Sequence, residues 1–153
     1  MQTDSYNLYL NGSLVTDLTM PTNMTNIKGY MFCGCKSLTS ITIPSNITSI
    51  EELAFNSCRE LKNVTINDGV TTIKYQAFAH CNNLTSITIP DSVTNIANTA
   101  FFGCNGLADN GGFVIVRNTL YNYYGPSETV IIPDNVITIA DHAFSKFYST
   151  SDI

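Results

Sequence analysis

Residues 81–104 read CNNLTSITIPDSVTNIANTAFFGC, opening and closing on cysteine 23 positions apart. The same step backwards from Cys81 lands on Cys58, and one more lands on Cys35. Four of the five cysteines therefore form one column of a repeat. A fixed period of this length marks a stack of similar units and decides the architecture before any local reading does. Other columns keep the step: Leu38, Leu61, Leu84 and Leu107; Ile41, Val64 and Ile87; Ile43, Ile66 and Ile89; Ile50, Ile73 and Ile96. The pairs Ala54-Phe55, Ala77-Phe78 and Ala100-Phe101 close the units, and upstream Val15, Leu18, Met20, Met24, Ile27 and Phe32 fall in the same register.

Within a unit, residues 40–43 (Ser-Ile-Thr-Ile) alternate polar and apolar, which is the period of a strand. Pro44 follows and cannot donate to a ladder, so the strand ends there. The Val-x-x-Ile segment is expected to turn the chain back, and the Ala-Phe segment is long enough for one turn or a 3₁₀ piece only. One unit is then one coil of a solenoid that gives one strand to a parallel sheet. A lone coil cannot bury its own faces, so stability comes from stacking. The periodicity predicts an α/β-type repeat solenoid that is mostly β, coiling right-handed, with strands at 17–20, 40–43, 63–66, 86–89 and 129–132.

The stretches SLTSITIPSNITSIEELAFNSC and NLTSITIPDSVTNIANTAFFGC resemble the BspA-type leucine-rich repeat, and the resemblance runs from about Val15 to Phe144. It implies a leucine-rich-repeat fold, an extracellular or cell-surface setting, and a role in adhesion or in binding partner macromolecules. It implies no catalytic residue. On this register the chain is a single domain over 1–153: a partial repeat at 11–34, repeats at 35–57, 58–80 and 81–103, and a long repeat at 104–146.

The rhythm breaks after Cys104. Asn110 stands where an isoleucine belongs, and the next Val-Ile-Ile-Pro run begins only at Val130. The extra residues, DNGGFVIVRNTLYNYYGPSE, are punctuated by Gly111-Gly112 and Gly125-Pro126. Between these, 113–116 and 119–124 read as a β-hairpin across a tight Arg117-Asn118 turn. The hairpin reads first as a structural decoration of one coil, tyrosine being an ordinary strand residue. As a binding feature it offers Tyr121, Tyr123 and Tyr124 as a candidate contact surface, since tyrosine is enriched at interfaces.

The second candidate surface is the sheet face. Between the inward apolar positions the strands should expose Ser40, Thr42, Asn63, Thr65, Ser86 and Thr88, with Asp17 and Thr19 beginning the rows and Thr129 and Ile131 ending them. This is a polar, nearly uncharged lattice repeating about every 4.8 Å. Charged residues are only 12% of the chain, half the usual quarter, and the net charge is −5. That balance argues against nucleic acid and anionic membrane as partners. A protein or glycan ligand is the expected partner. A structural spacer that associates with itself end to end is the alternative.

The in-register cysteines should lie one strand spacing apart with parallel Cα–Cβ vectors, which disfavours disulfides between them. Buried free thiols acting as small hydrophobes are expected at Cys35, Cys58, Cys81 and Cys104, with Cys33 the one accessible thiol. No cofactor, structural metal or catalytic residue is expected. His80 and Cys81 are adjacent and point apart, no nucleophile elbow surrounds His142, and Glu51-Glu52 reads as a solvated edge. Residues 1–15 carry neither a basic segment nor an apolar run, so they do not read as a signal peptide. The chain reads as a piece of a longer array because it enters mid-repeat. Sequons stand at Asn11, Asn23, Asn46, Asn63 and Asn83.

Overall fold

The computed structural model describes residues 6–126 and 129–145. A short antiparallel hairpin, β1 (Tyr9–Leu10) and β2 (Ser13–Leu14), precedes the first coil. The alternating segments form β3 (Asp17–Thr19), β4 (Ser40–Ile43), β6 (Asn63–Ile66) and β8 (Ser86–Thr88). They stack in parallel in sequence order, with Ile41 beside Val64 and Val64 beside Ile87. Register is fixed because a one-residue slip would turn every buried isoleucine outward.

The return segment does more than reverse the chain. β5 (Ser49–Ile50), β7 (Thr72–Ile73) and β9 (Asn95–Ile96) form a second parallel sheet, and an Ile27–Ile50 bridge extends it one coil upstream. Two residues per coil suffice because the threonine columns add bonds: Thr71 N–H donates to Thr48 O at 2.9 Å, and its hydroxyl donates to the same oxygen at 3.1 Å.

The Ala-Phe corner forms no helix. Phe55 N–H donates to Ala77 O of the next coil at 2.8 Å, while Cys58 N–H donates back to Phe55 O at 3.2 Å. Backbone groups thus alternate between closing a turn and joining coils, which satisfies them without helical pairing. Left-handed residues recur at the corner. Tyr30 (φ 62°), Leu53 (56°) and Gln76 (50°) fill one site, which Thr99 of the next coil does without; Gly34 (77°), Ser57 (60°), His80 (60°) and Gly103 (77°) fill the other.

Stacking makes the core a set of columns. Phe32, Phe55, Phe78 and Phe101 lie ring on ring at 5.1, 5.2 and 5.6 Å between centroids, within 4° of parallel. Cys35, Cys58, Cys81 and Cys104 are free thiols and fully buried. Each of the last three donates its S–H to a phenylalanine carbonyl: Cys58 to Phe32 at 3.0 Å, Cys81 to Phe55 at 3.2 Å, and Cys104 to Phe78 at 3.1 Å. The column therefore pairs carbonyls as well as filling space. Burial pushes the Cys81 thiol well up and the Cys104 thiol up to about 12.

In the long repeat, β10 (Phe113–Val116) and β11 (Thr119–Tyr123) make the expected hairpin. Arg117 (φ 50°) and Asn118 (φ 62°) both adopt the left-handed conformation that a two-residue type I′ turn needs. β12 (Thr138–Ile139) then pairs with β11 in parallel. The fifth strand expected at 129–132 does not form. β8 is the last strand of its sheet, and Ile131 and Ile132 are 81% and 38% exposed. The hairpin follows β8 in the chain and stands beside it, so this segment is not stacked on β8 and its strand-like pattern goes unpaired.

Candidate binding surfaces

The parallel register sets the outward residues in two rows, Asp17–Ser40–Asn63–Ser86 and Thr19–Thr42–Thr65–Thr88. Asn63, Thr65, Ser86 and Thr88 are exposed, and Ser40 and Thr42 are half-buried. Ser40 lies lower because its hydroxyl donates to the Asp17 carboxylate, which also accepts from Thr16 Oγ1 at 2.9 Å. These bonds, Ser40's first, hold the Asp17 carboxyl below its ordinary range. The face is thus a hydroxyl and amide lattice with one anion at its first strand.

The hairpin tyrosines correct the sequence reading. Tyr121 and Tyr123 are 2% and 4% exposed and leave the candidate contact surface. Tyr121 packs edge-on against Phe101, with centroids 5.3 Å apart, and takes the next place in the phenylalanine column. Burial raises its phenol. Tyr123 tilts against Phe113 at 4.6 Å and donates its hydroxyl to Pro126 O at 3.0 Å. Tyr124 is half-buried, and burial pushes its phenol up to about 12. Between Tyr121 and Tyr123, Asn122 is buried, and its Oδ1 accepts from Gly103 N–H at 2.8 Å. In regular coils a backbone carbonyl does this, as Phe102 O does for His80 N–H at 2.7 Å. A signal for Tyr121 existed: a column of stacked phenylalanines needs an aromatic cap, and Phe144 comes 43 residues after Phe101.

Sequence reasoning also missed Arg117. From the hairpin tip its Nη2 donates to Ile89 O at 3.4 Å and to Pro90 O, with the exposed Asp91 carboxylate 3.6 Å away. It ties the hairpin to the preceding coil. A groove of about 450 Å³ opens on either side of it, one against β8 and one against β9.

The remaining candidates are placed as follows. Cys33 is half-buried, and burial raises its thiol. His80 packs edge-on against Phe102, and burial lowers its imidazole below the usual value, with Arg59 adding to the effect. His142 is exposed. Glu51 is not merely solvated: it pairs with Lys74 at 2.7 Å, the register residue one coil on, and accepts from Ser49 at 2.8 Å. Lys74's bond is the main reason its carboxyl lies below the ordinary range. Among the described residues no three His, Cys, Asp or Glu side chains converge to hold a metal ion. No helix of the described residues is long and apolar enough to cross a membrane.

Parallel strands in register, apolar columns and a polar outer face define a leucine-rich-repeat solenoid of about five turns. The chain belongs to the BspA-type leucine-rich-repeat family: residues 5–109 and 114–153 match "BspA type Leucine rich repeat region" in six copies. No curated protein matches the chain. Among solved structures it is similar to the T. pallidum leucine-rich repeat protein, at 25% identity and a TM-score of 0.57 over 61% of this chain and 46% of that one. It is also similar to a leucine-rich repeat protein from Bacteroides ovatus, at 27% identity and a TM-score of 0.52 over 60% of this chain and 24% of that one. A leucine rich cell surface protein from Faecalibacterium prausnitzii is 29% identical with a TM-score of 0.49, over 60% of this chain and 30% of that one. The chain thus spans less than half the length of each structure it matches.

Proposed function

We propose that this protein is a non-enzymatic binding module, set at a cell surface or secreted, which docks a protein or glycan partner on the outer face of the β3-β4-β6-β8 sheet and contributes to adhesion. The observation that carries the reading is the pair of outward rows, where short polar side chains repeat in register over four strands. Packing dictates the inward columns, but it does not require hydroxyls and amides in place of charges outside. The family resemblance supports the surface setting, and of the three hairpin tyrosines Tyr124 alone is not buried.

Small side chains spread affinity over several strands. Changing Asn63 and Thr65 to Lys places bulk and charge on β6 at the centre of the face, and both positions are exposed. Such surface changes shift stability by about 0.5 kcal/mol or less. Arrays of matrix proteins and surface glycans, probed with the wild type and this variant, provide the test. Binding lost at unchanged melting temperature supports the reading. Equal binding by both, or no binding by the wild type, removes it. The spacer reading then takes its place, with exposed Leu10 and Leu14 at one end and Ile137 and Ile139 at the other as its apolar contacts.

A further inference from the structure

The groove between β8 and β10 has the properties of a strand-binding slot. In the regular coils the inward pairs are sealed by the coil that follows: Ile41 is 2% and Ile43 0% exposed, and Val64 and Ile66 are each 2% exposed. Their counterparts Ile87 and Ile89 are only half-buried, because the hairpin stands off and leaves a groove of about 450 Å³ over them. Leu107, Ile115 and Val116 form the remaining apolar lining. The wall on the β8 side is an open edge. Ser86 N–H donates to Lys62 O on the β6 side, so by strand alternation the N–H and C=O of Ile87 face the groove. Among the described residues no strand pairs with β8 there. At the far end Arg117 covers the carbonyls of Ile89 and Pro90 and closes the slot with a guanidinium. It is the only cation lining either groove.

We propose that this slot takes the C-terminal segment of a partner protein as an added strand on β8. Every pair in this sheet is parallel, so an incoming strand in the same sense runs from Thr85 toward Ile89. Its C-terminus then arrives at Arg117, where a carboxylate makes a charge-assisted bond of the kind guanidinium groups favour. Its two inward side chains lie over Ile87 and Ile89 and have to be apolar. The occupant is therefore an apolar-x-apolar sequence ending in a free carboxylate. The slot lies at the sheet's edge rather than on its face, so this proposal and the face-binding reading stand or fall separately.

The probe is acetyl-Ser-Ile-Thr-Ile, the sequence that fills this register in β4, as its free acid and as its amide. A third peptide, the amide with Glu added after the last Ile, separates a terminal from a side-chain carboxylate. Backbone amide shifts of the labelled 153-residue protein report both site and affinity. The free acid is expected to shift Thr85, Ser86 and Ile87 and to bind about tenfold tighter than the amide, with the Glu peptide no better than the amide. Arg117→Gln should bring the acid to the level of the amide. Equal binding of acid and amide overturns the proposal. So does tight binding of the Glu peptide, a footprint away from β8, or no shift at about 5 mM acid. Arg117 also ties down the hairpin, and the comparison of acid with amide on the unaltered protein does not depend on that variant.

Discussion

The regular coils and the long repeat bury the same columns by different means. In the regular coils the phenylalanines stack face to face, the thiols of Cys58 and Cys81 reach the carbonyl of the coil before, and the inward pairs Ile41-Ile43 and Val64-Ile66 are sealed by the coil that follows. Beyond Cys104 the columns persist but their donors change. Tyr121 replaces a phenylalanine, and it meets Phe101 at 84° rather than in parallel. The Asn122 side chain replaces a backbone carbonyl. β11 pairs with β12 in a sheet of its own with β10, while the first sheet stops at β8 and the second at β9. A solenoid thus tolerates an irregular coil provided each column finds a substitute, because stability is held between neighbours.

The largest effects test whether the two aromatic environments are equivalent. Phe78→Ala removes a ring between two stacked neighbours and should cost about 3–5 kcal/mol. Tyr121→Ser, in the irregular coil, should cost a comparable 3 kcal/mol or more, because it opens the end of the same column. Urea unfolding of both variants measures this. A Tyr121→Ser midpoint close to wild type would place the tyrosine outside the core and return it to the surface.

That contrast also marks where the sequence was legible. Column identity predicted four strands, their order, the burial of the thiols and the hairpin with its Arg117-Asn118 turn, because periodicity and turn chemistry are local signals. The second sheet was missed because Thr72-Ile73 is too short to show alternation, and what makes it a strand is the coil stacked beside it. Tyr121 and Tyr123 stand as candidate contacts in the sequence because tyrosine is enriched at interfaces, and nothing local shows that β11 faces the phenylalanine column. Thr129–Ile132 failed for the converse reason. It carries a strand's pattern, but a strand also has to be stacked on a neighbour, and the hairpin stands beside β8 in its place. The outward residues of β6 and β8 were legible from alternation alone.

Asn122 gives the next largest effect and sharpens the substitution argument. Asn122→Ala strands the buried Gly103 N–H, and an unmet donor of this kind costs about 1–3 kcal/mol. Hydrogen exchange at Gly103 should accelerate in the variant beyond the change in global stability. Unchanged exchange there would mean that another acceptor serves the amide. A smaller effect of opposite sign is expected inside the regular coils. Ser57 sits at φ 60° in the column where Gly34 and Gly103 stand. Ser57→Gly relieves a left-handed residue and adds chain entropy to the unfolded state, for a net gain of up to about 1 kcal/mol. A loss of stability would show that the bond from Ser57 Oγ to Asn56 Oδ1 outweighs the backbone strain.

The smallest effect is a titration, and it reads out strand stacking in the regular part directly. Asp17 is exposed, and its register partner one coil on is Ser40, whose hydroxyl bond is the first cause of its lowered pKa. A carboxyl lowered on folding adds stability that is fully present above its unfolded pKa. That stability is lost as pH falls through the lower, folded value. The sign therefore requires β3 to loosen from β4 only in acid, below the ordinary 3.8. Carboxyl chemical shifts followed through that range should place Asp17 below 3.8, and Ser40→Ala should move it back up while leaving Glu51 where Lys74 holds it. A wild-type Asp17 titrating at its ordinary value would show that β3 does not hold its register on β4 in solution, and the polar face would then begin one strand later, at Ser40.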